Sequence, residues 1–132
     1  MSNLEFPSDR RYTKDHEWAR KDGQEILVGV SAFAVEQLGD ITLVNVDVKV
    51  GDSVEVGKSF GTIESVKTLS DMFAPVSGKI TKINEALNDK PELINEDCNK
   101  TWMVAIAPSN PAEFEALLDQ AAYAAHVKAS AH

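Results

Sequence analysis

The chain has 132 residues, with 13 Lys and Arg against 21 Asp and Glu, for a formal net charge of −8. That length suits one domain with a core that needs no staples, and the acidic balance argues against a phosphate-binding surface while favouring basic protein partners. The single cysteine, Cys98, excludes an intramolecular disulfide framework and a Cys-based zinc cluster, and no apolar run approaches the ~18 residues of a membrane span.

The first fifteen residues include Asp9, Arg10, Arg11 and Lys14 and lack the apolar core of a signal peptide. The chain therefore reads as cytoplasmic; a mature mitochondrial-matrix form would look similar. His16–Arg20 and Gln24–Val30 flank Lys21-Asp22-Gly23, which predicts a hairpin turning at Asp-Gly. Ser31 as N-cap and Gly39 after the last turn bracket a short helix over Ala32–Leu38. It should bury Phe33 or Val35 together with Leu38. Ile41–Val50 reads as one long strand, with Val44, Val46, Val48 and Val50 on one face and Asn45, Asp47 and Lys49 on the other.

Gly51-Asp52 and Gly57-Lys58 punctuate the chain around Val54 and Val56. Ser59–Ser65 and Thr68–Ala74 are β-like runs on either side of Lys67. Pro75-Val76-Ser77-Gly78 is a turn, and Lys79–Asn84 a strand. Glu85–Lys100 is polar and reads as a loop. Trp102, Val104 and Ile106 alternate with Met103, Ala105 and Ala107 in a last strand, which Pro108-Ser109-Asn110-Pro111 stops. From Ala112 the period becomes helical, with Phe114, Leu117, Leu118 and Ala121 on one stripe, Asn110 as N-cap and Pro111 at N1. That stripe either covers one end of the fold or docks a partner. Val50–Val54 and Val76–Ile80 echo each other on the two sides of Lys67, as two related half-sheets would. Short, closely spaced strands predict a mainly β sandwich or flattened barrel.

Chemistry for a self-contained active site is missing. His16, His126 and His132 are far apart, the latter two in a C-terminal tail expected to be mobile. No nucleophile motif or glycine-rich phosphate loop is present. A carrier or binding module is the better reading. Lys67 stands where the hairpin must turn, without the usual Asn-Gly or Asp-Gly. A lysine there is either a solvated turn residue or an amine presented on a rigid scaffold.

Glu64-Ser65-Val66-Lys67, then Ser70-Asp71 and Ala74-Pro75-Val76-Ser77-Gly78, closely resembles the lipoyl-lysine region of the glycine cleavage system H protein family. Tyr12-Thr13-Lys14-Asp15-His16-Glu17-Trp18, Glu36–Asp40, Asn84–Leu87, Pro91–Asn95 and Trp102 extend the resemblance over roughly residues 12 to 120. It implies a single domain over 1–132, with its core at about 12–124. The implied fold is mainly β: a lipoyl-domain-like barrel-sandwich hybrid of two small antiparallel sheets, with a short helix in the N-terminal half and a C-terminal helix. It implies lipoate held through an amide on Lys67, and a non-catalytic carrier that moves the aminomethyl group of glycine. The implied partners are a decarboxylating glycine dehydrogenase, an aminomethyltransferase, dihydrolipoamide dehydrogenase and a lipoyl ligase or octanoyltransferase, with the chain itself monomeric. Neither nucleic acid nor membrane is implied.

Glu64 and Asp71 flank the lysine and either orient the ligase and the cationic arm or are solvated turn carboxylates. Glu17 matches the position near the docked, loaded arm; otherwise it is an exposed strand residue. Two stretches depart from the family. Glu96–Thr101 replaces a glycine-bearing run before Trp102, and Val46-Asp47-Val48-Lys49 replaces a Leu-Pro connection. Cys98 is either a small inert group or a partner for a mixed disulfide with the arm. Other readings are an H-like lipoate relay or regulator, and a biotin carrier, whose lysine usually lies between methionines rather than Val66 and Thr68.

Overall fold

In the computed structural model, which describes residues 6–130, the chain forms two open antiparallel sheets with short helices attached. In chain order the elements are β1 (Arg11–Tyr12), β2 (Glu17–Asp22), β3 (Glu25–Val30), α1 (Ala32–Leu38), β4 (Ile41–Val46), β5 (Ser53–Val54), β6 (Ser59–Ser65), β7 (Leu69–Phe73), β8 (Gly78–Ile83), α2 (Ala86–Asp89), α3 (Leu93–Glu96), β9 (Val104–Pro108), α4 (Pro111–Glu115) and α5 (Gln120–Ser130). The larger sheet runs β1-β2-β3-β9-β8-β5 and the smaller β4-β6-β7. Neither closes into a barrel.

The core lies between the sheets. Val28, Ile80, Val104 and Ile106 from the larger sheet meet Val44, Phe60, Ile63 and Met72 from the smaller. Each such side chain contributes about 1.5–3 kcal/mol through burial. A second cluster, Tyr12, Trp18, Leu27, Ala105, Tyr123 and Val127, fills the opposite face of the larger sheet under α5. Strand β9 is thus buried on both faces. Trp18 fits because Gly29 is directly opposite; a Cβ there would collide with the indole ring.

Several expected elements hold. The β2–β3 hairpin turns at Gly23, whose φ is +65°. Ser31 Oγ accepts from Ala34 N–H at 3.2 Å and caps α1, which buries Phe33 and Leu38. Asn110 caps α4 in the same way, with Pro111 first in the helix.

Four expectations fail for identifiable reasons. The strand from Ile41 ends at Val46 instead of Val50, because Asp52 accepts from Lys49 N–H at 2.8 Å and its own N–H bonds to the Lys49 carbonyl, bending the chain. Val50 is left exposed. The polar stretch 85–100 is not a plain loop; α2 and α3 form there, burying Leu87 and Ile94. The predicted C-terminal helix is broken in two. Leu118 exchanges both backbone hydrogen bonds with Tyr12, at 2.8 and 2.9 Å, so it cannot stay helical, and Asp119 restarts the helix by accepting from Ala122 N–H. The echoing pieces are not two half-sheets about Lys67: β5 and β8 pair directly within the larger sheet.

Candidate functional site

Residues 66–71 form an exposed run at the β6–β7 turn, with Lys67 in it. One buried side chain shapes the turn. Ser65 Oγ accepts from the N–H groups of Lys67 and Thr68, both at 3.2 Å, and Ser65 N–H donates to the Thr68 carbonyl at 2.8 Å. A serine hydroxyl therefore does what Asn-Gly chemistry does in other hairpins. The tip is also tied from outside. Val66 N–H donates to the Asp40 carbonyl at 3.0 Å.

Gly39, at the end of α1, has φ +78°, a conformation strained for other residues. The Lys67 side chain lies over it, and a Cβ at Gly39 would sit 3.4 Å from Lys67 Cε. None of the ion pairs among the described residues involves Lys67. Its amine is at the surface, on a backbone fixed from two sides.

Strand register places the two flanking carboxylates. Leu43, Glu64 and Leu69 form one cross-strand row and Asn45, Thr62 and Asp71 the next, both on the face turned away from the core. Glu64 and Asp71 are exposed, and Asp71 accepts from Ser59 Oγ at 3.3 Å. Leu43, Val66 and Leu69 are exposed too, so Lys67 stands beside an apolar surface edged by carboxylates.

Glu17 is not on this face, nor is it an exposed strand residue. It is 2% exposed. Its Oε1 accepts from Thr13 Oγ1 at 2.6 Å, and its Oε2 accepts from Phe73 N–H at 3.1 Å. It therefore joins the larger sheet to the last residue of β7, roughly 13 Å along that strand from its start next to the lysine turn. Burial pushes its carboxyl up to about 7, against the opposing pull of the Thr13 and Phe73 hydrogen bonds. An apolar cleft of about 250 Å³ adjoins it, walled in part by Thr13, Phe73, Pro75, Leu117 and Leu118.

The histidines are closer than their sequence positions suggest. His16 and His126 stack at 5.6 Å, and His16 Nδ1 is 2.8 Å from the Tyr123 hydroxyl. The C-terminal stretch through residue 130 is thus docked helix, not mobile tail; His132 lies outside the described residues. No group of three or more His, Cys, Asp or Glu among the described residues could hold a metal, and no helix is long and apolar enough to cross a membrane.

Cys98 is half-buried, and burial raises its thiol. Its carbonyl accepts from Trp18 Nε1 at 3.0 Å, and the next carbonyl, of Asn99, accepts from Arg10 at 2.6 Å. The glycine-free loop is thereby pinned to β2. A thiol that stays protonated makes a poor attacking group.

Sequence reasoning passed over Ser65, Asp40 and Asn95 as individual residues. Asn95, in α3, bonds both neighbours of Asp40: Nδ2 donates to the Gly39 carbonyl and Oδ1 accepts from Ile41 N–H, each at 2.9 Å. Only a coincidence of chain path brings these groups together, and nothing local in the sequence signals it.

Comparison with known proteins gives a consistent result. The family model described as "Glycine cleavage H-protein" matches residues 10–130. A glycine cleavage system H protein from Anaeromyxobacter sp. (strain K) is 51% identical over 126 residues, covering 95% of this chain and 98% of that protein. One from Acidobacterium capsulatum is 48% identical over 125 residues, covering 95% and 96%. The crystal structure of a glycine cleavage system H protein from Mycobacterium marinum superposes with a TM-score of 0.83 at 38% identity, covering 91% of this chain and 97% of that one.

Proposed function

Given that the chain belongs to the glycine cleavage H-protein family, we propose that it is a non-catalytic carrier with lipoate joined by an amide to Lys67. The observation that carries this reading is the exposed Lys67 amine on a turn fixed by Ser65 and Asp40. A fixed root lets a modifying enzyme recognise a shape, while the side chain beyond it stays free to swing. Lipoate, once attached, supplies a dithiolane that carries a one-carbon group and two electrons, which side chains do poorly.

On this reading the protein takes the aminomethyl group of glycine from a decarboxylating glycine dehydrogenase to an aminomethyltransferase. Dihydrolipoamide dehydrogenase then restores the disulfide. A lipoyl ligase or octanoyltransferase installs the arm. Tethering keeps the cargo at high local concentration for each partner. The carrier works as a cytoplasmic monomer, or in the mitochondrial matrix in an organellar form.

The residues divide the work. Lys67 gives the attachment atom. Amide formation takes a proton from the amine, so the modifying enzyme must supply a base. Glu64 and Asp71 offer charge beside the root. Glu17, at the apolar cleft, holds a cationic cargo away from water; a carboxylate buried to this degree favours a positive partner once one arrives.

The deciding experiment is the intact mass of the protein from lipoate-fed cells, with peptide mapping across residues 59–73. A lipoyl increment on Lys67, lost in Lys67→Arg, is expected. An unmodified Lys67 beside a competent ligase would defeat the carrier reading, and a biotin increment would change the cofactor.

A further inference from the structure

The lysine turn rests on a second turn, and that second turn rests on one side chain. Val66 N–H donates to the Asp40 carbonyl, and Lys67 lies over Gly39. Asn95 then clamps the residues on both sides of Asp40. Its Nδ2 bonds the Gly39 carbonyl and its Oδ1 bonds Ile41 N–H. The clamp is itself anchored. Ile94, next to it, is fully buried, and Thr101 Oγ1 donates to the carbonyls of Leu93 and Asp97, closing the end of α3.

A carboxamide offers a donor and an acceptor side by side in one fixed plane. Aspartate has no donor for the Gly39 carbonyl. Alanine has neither group. Glutamine would carry the pair one methylene too far.

We infer that Asn95 is a positioning residue for Lys67: it sets where the amine stands when lipoate is transferred to it. The inference rests on the reading of Lys67 as the attachment site. In that transfer Lys67 Nζ attacks the carbonyl of an activated lipoyl ester such as an acyl adenylate. The C–N bond forms, the bond to the adenylate oxygen breaks, and the proton from Nζ passes to a base of the modifying enzyme. The attack is sensitive to placement; a shift of about 1 Å can cost on the order of a hundredfold. A turn held by two hydrogen bonds from Asn95 and one from Val66 limits such shifts.

The test uses the full chain with a lipoate ligase, ATP and lipoate, well below its unfolding temperature. In Asn95→Ala and Asn95→Asp the kcat/KM for Lys67 should fall about three- to tenfold, the equivalent of one hydrogen bond's net worth. Hydrogen exchange at the Val66 amide should quicken by a similar factor. Acylation of Lys67 by a small N-hydroxysuccinimide ester should keep its wild-type rate, since the amine stays exposed. A wild-type kcat/KM in folded Asn95→Ala overturns the inference. So does equal slowing of the enzymatic and the chemical reaction, which would assign Asn95 to exposure of the amine and not its placement. If Asn95→Ala does not fold, Asn95→Ser decides by the same readouts. Wild-type protein left unmodified at Lys67 would instead defeat the carrier reading itself.

Discussion

Glu17 holds a carboxylate in a place where carboxylates are expensive. At 2% exposure it has two hydrogen-bond donors, Thr13 and Phe73 N–H, and no ion-pair partner among the described residues. Burial wins over those bonds and raises the group from 4.5 to about 7. The folded state therefore binds this proton more tightly than the unfolded chain does. Stability from Glu17 is full below pH ~4.5 and is lost as pH rises through about 7. A shift of that size corresponds to something on the order of 3 kcal/mol. Glu17→Gln removes the ionisation while keeping a polar group. In urea unfolding at pH 5 to 8, the variant should gain on the wild type by up to that amount as pH rises. His16 slopes the other way, since burial and then His126 lower it, but both proteins share it and the difference cancels. A pH-independent difference would mean that Glu17 titrates as an ordinary carboxylate. The same variant tests the proposed hosting of the cargo by Glu17: uncatalysed loss of the aminomethyl group should quicken.

At the scale of elements, α5 is held to the sheet by a polar latch inside an apolar patch. The Tyr123 hydroxyl is within 2.6 Å of Ser31 Oγ and 2.8 Å of His16 Nδ1, with the ring fully buried against Tyr12 at 4.4 Å. Tyr123→Phe keeps the stacking but takes one partner from His16 Nδ1 and one from Ser31 Oγ, which keeps its bond from Ala34 N–H, so it should cost about 1–3 kcal/mol. Faster amide exchange along α5 should accompany the loss; unchanged exchange would show that Val127 and the ring contacts suffice. This helix also shows where the sequence was legible and where it was not. Period and caps located α1, the β2–β3 hairpin and the strands around Lys67, because each depends on neighbours in the chain. The long helix from Ala112 was misread because Leu118 is claimed by Tyr12, more than a hundred residues away. Asp119 was the local clue to a restart, being a good N-cap before Ala121-Ala122. Leu87 and Ile94 were clues of the same kind in the polar stretch, two apolar residues that had to be buried somewhere. In the site, Lys67, Glu64 and Asp71 could be grouped from one hairpin, whereas the burial of Glu17 and the clamp of Asn95 exist only after both sheets are assembled.

For the whole molecule, charge and architecture act on the same surface. The net charge is −8, and exposed Asp40, Glu64 and Asp71 surround the one lysine on which the carrier reading depends. Several cations, by contrast, are spent on structure elsewhere: Arg10 on Trp18 and the Asn99 carbonyl, Arg11 and Lys21 on Glu115. Acylation of Lys67 removes a further positive charge from the site. An acidic face of this kind speeds encounter with a basic partner surface, and the effect fades as salt shortens the Debye length from ~30 Å at 0.01 M to ~8 Å at 0.15 M. The association rate with the lipoylating enzyme, followed by stopped flow, should therefore fall about tenfold across that range. The double variant Glu64→Gln with Asp71→Asn should flatten the salt dependence without altering the core, because both side chains are exposed on the outer rows of the smaller sheet. A rate indifferent to salt would assign the acidic balance to solubility and leave recognition to shape and to the apolar edge formed by Leu43, Val66 and Leu69.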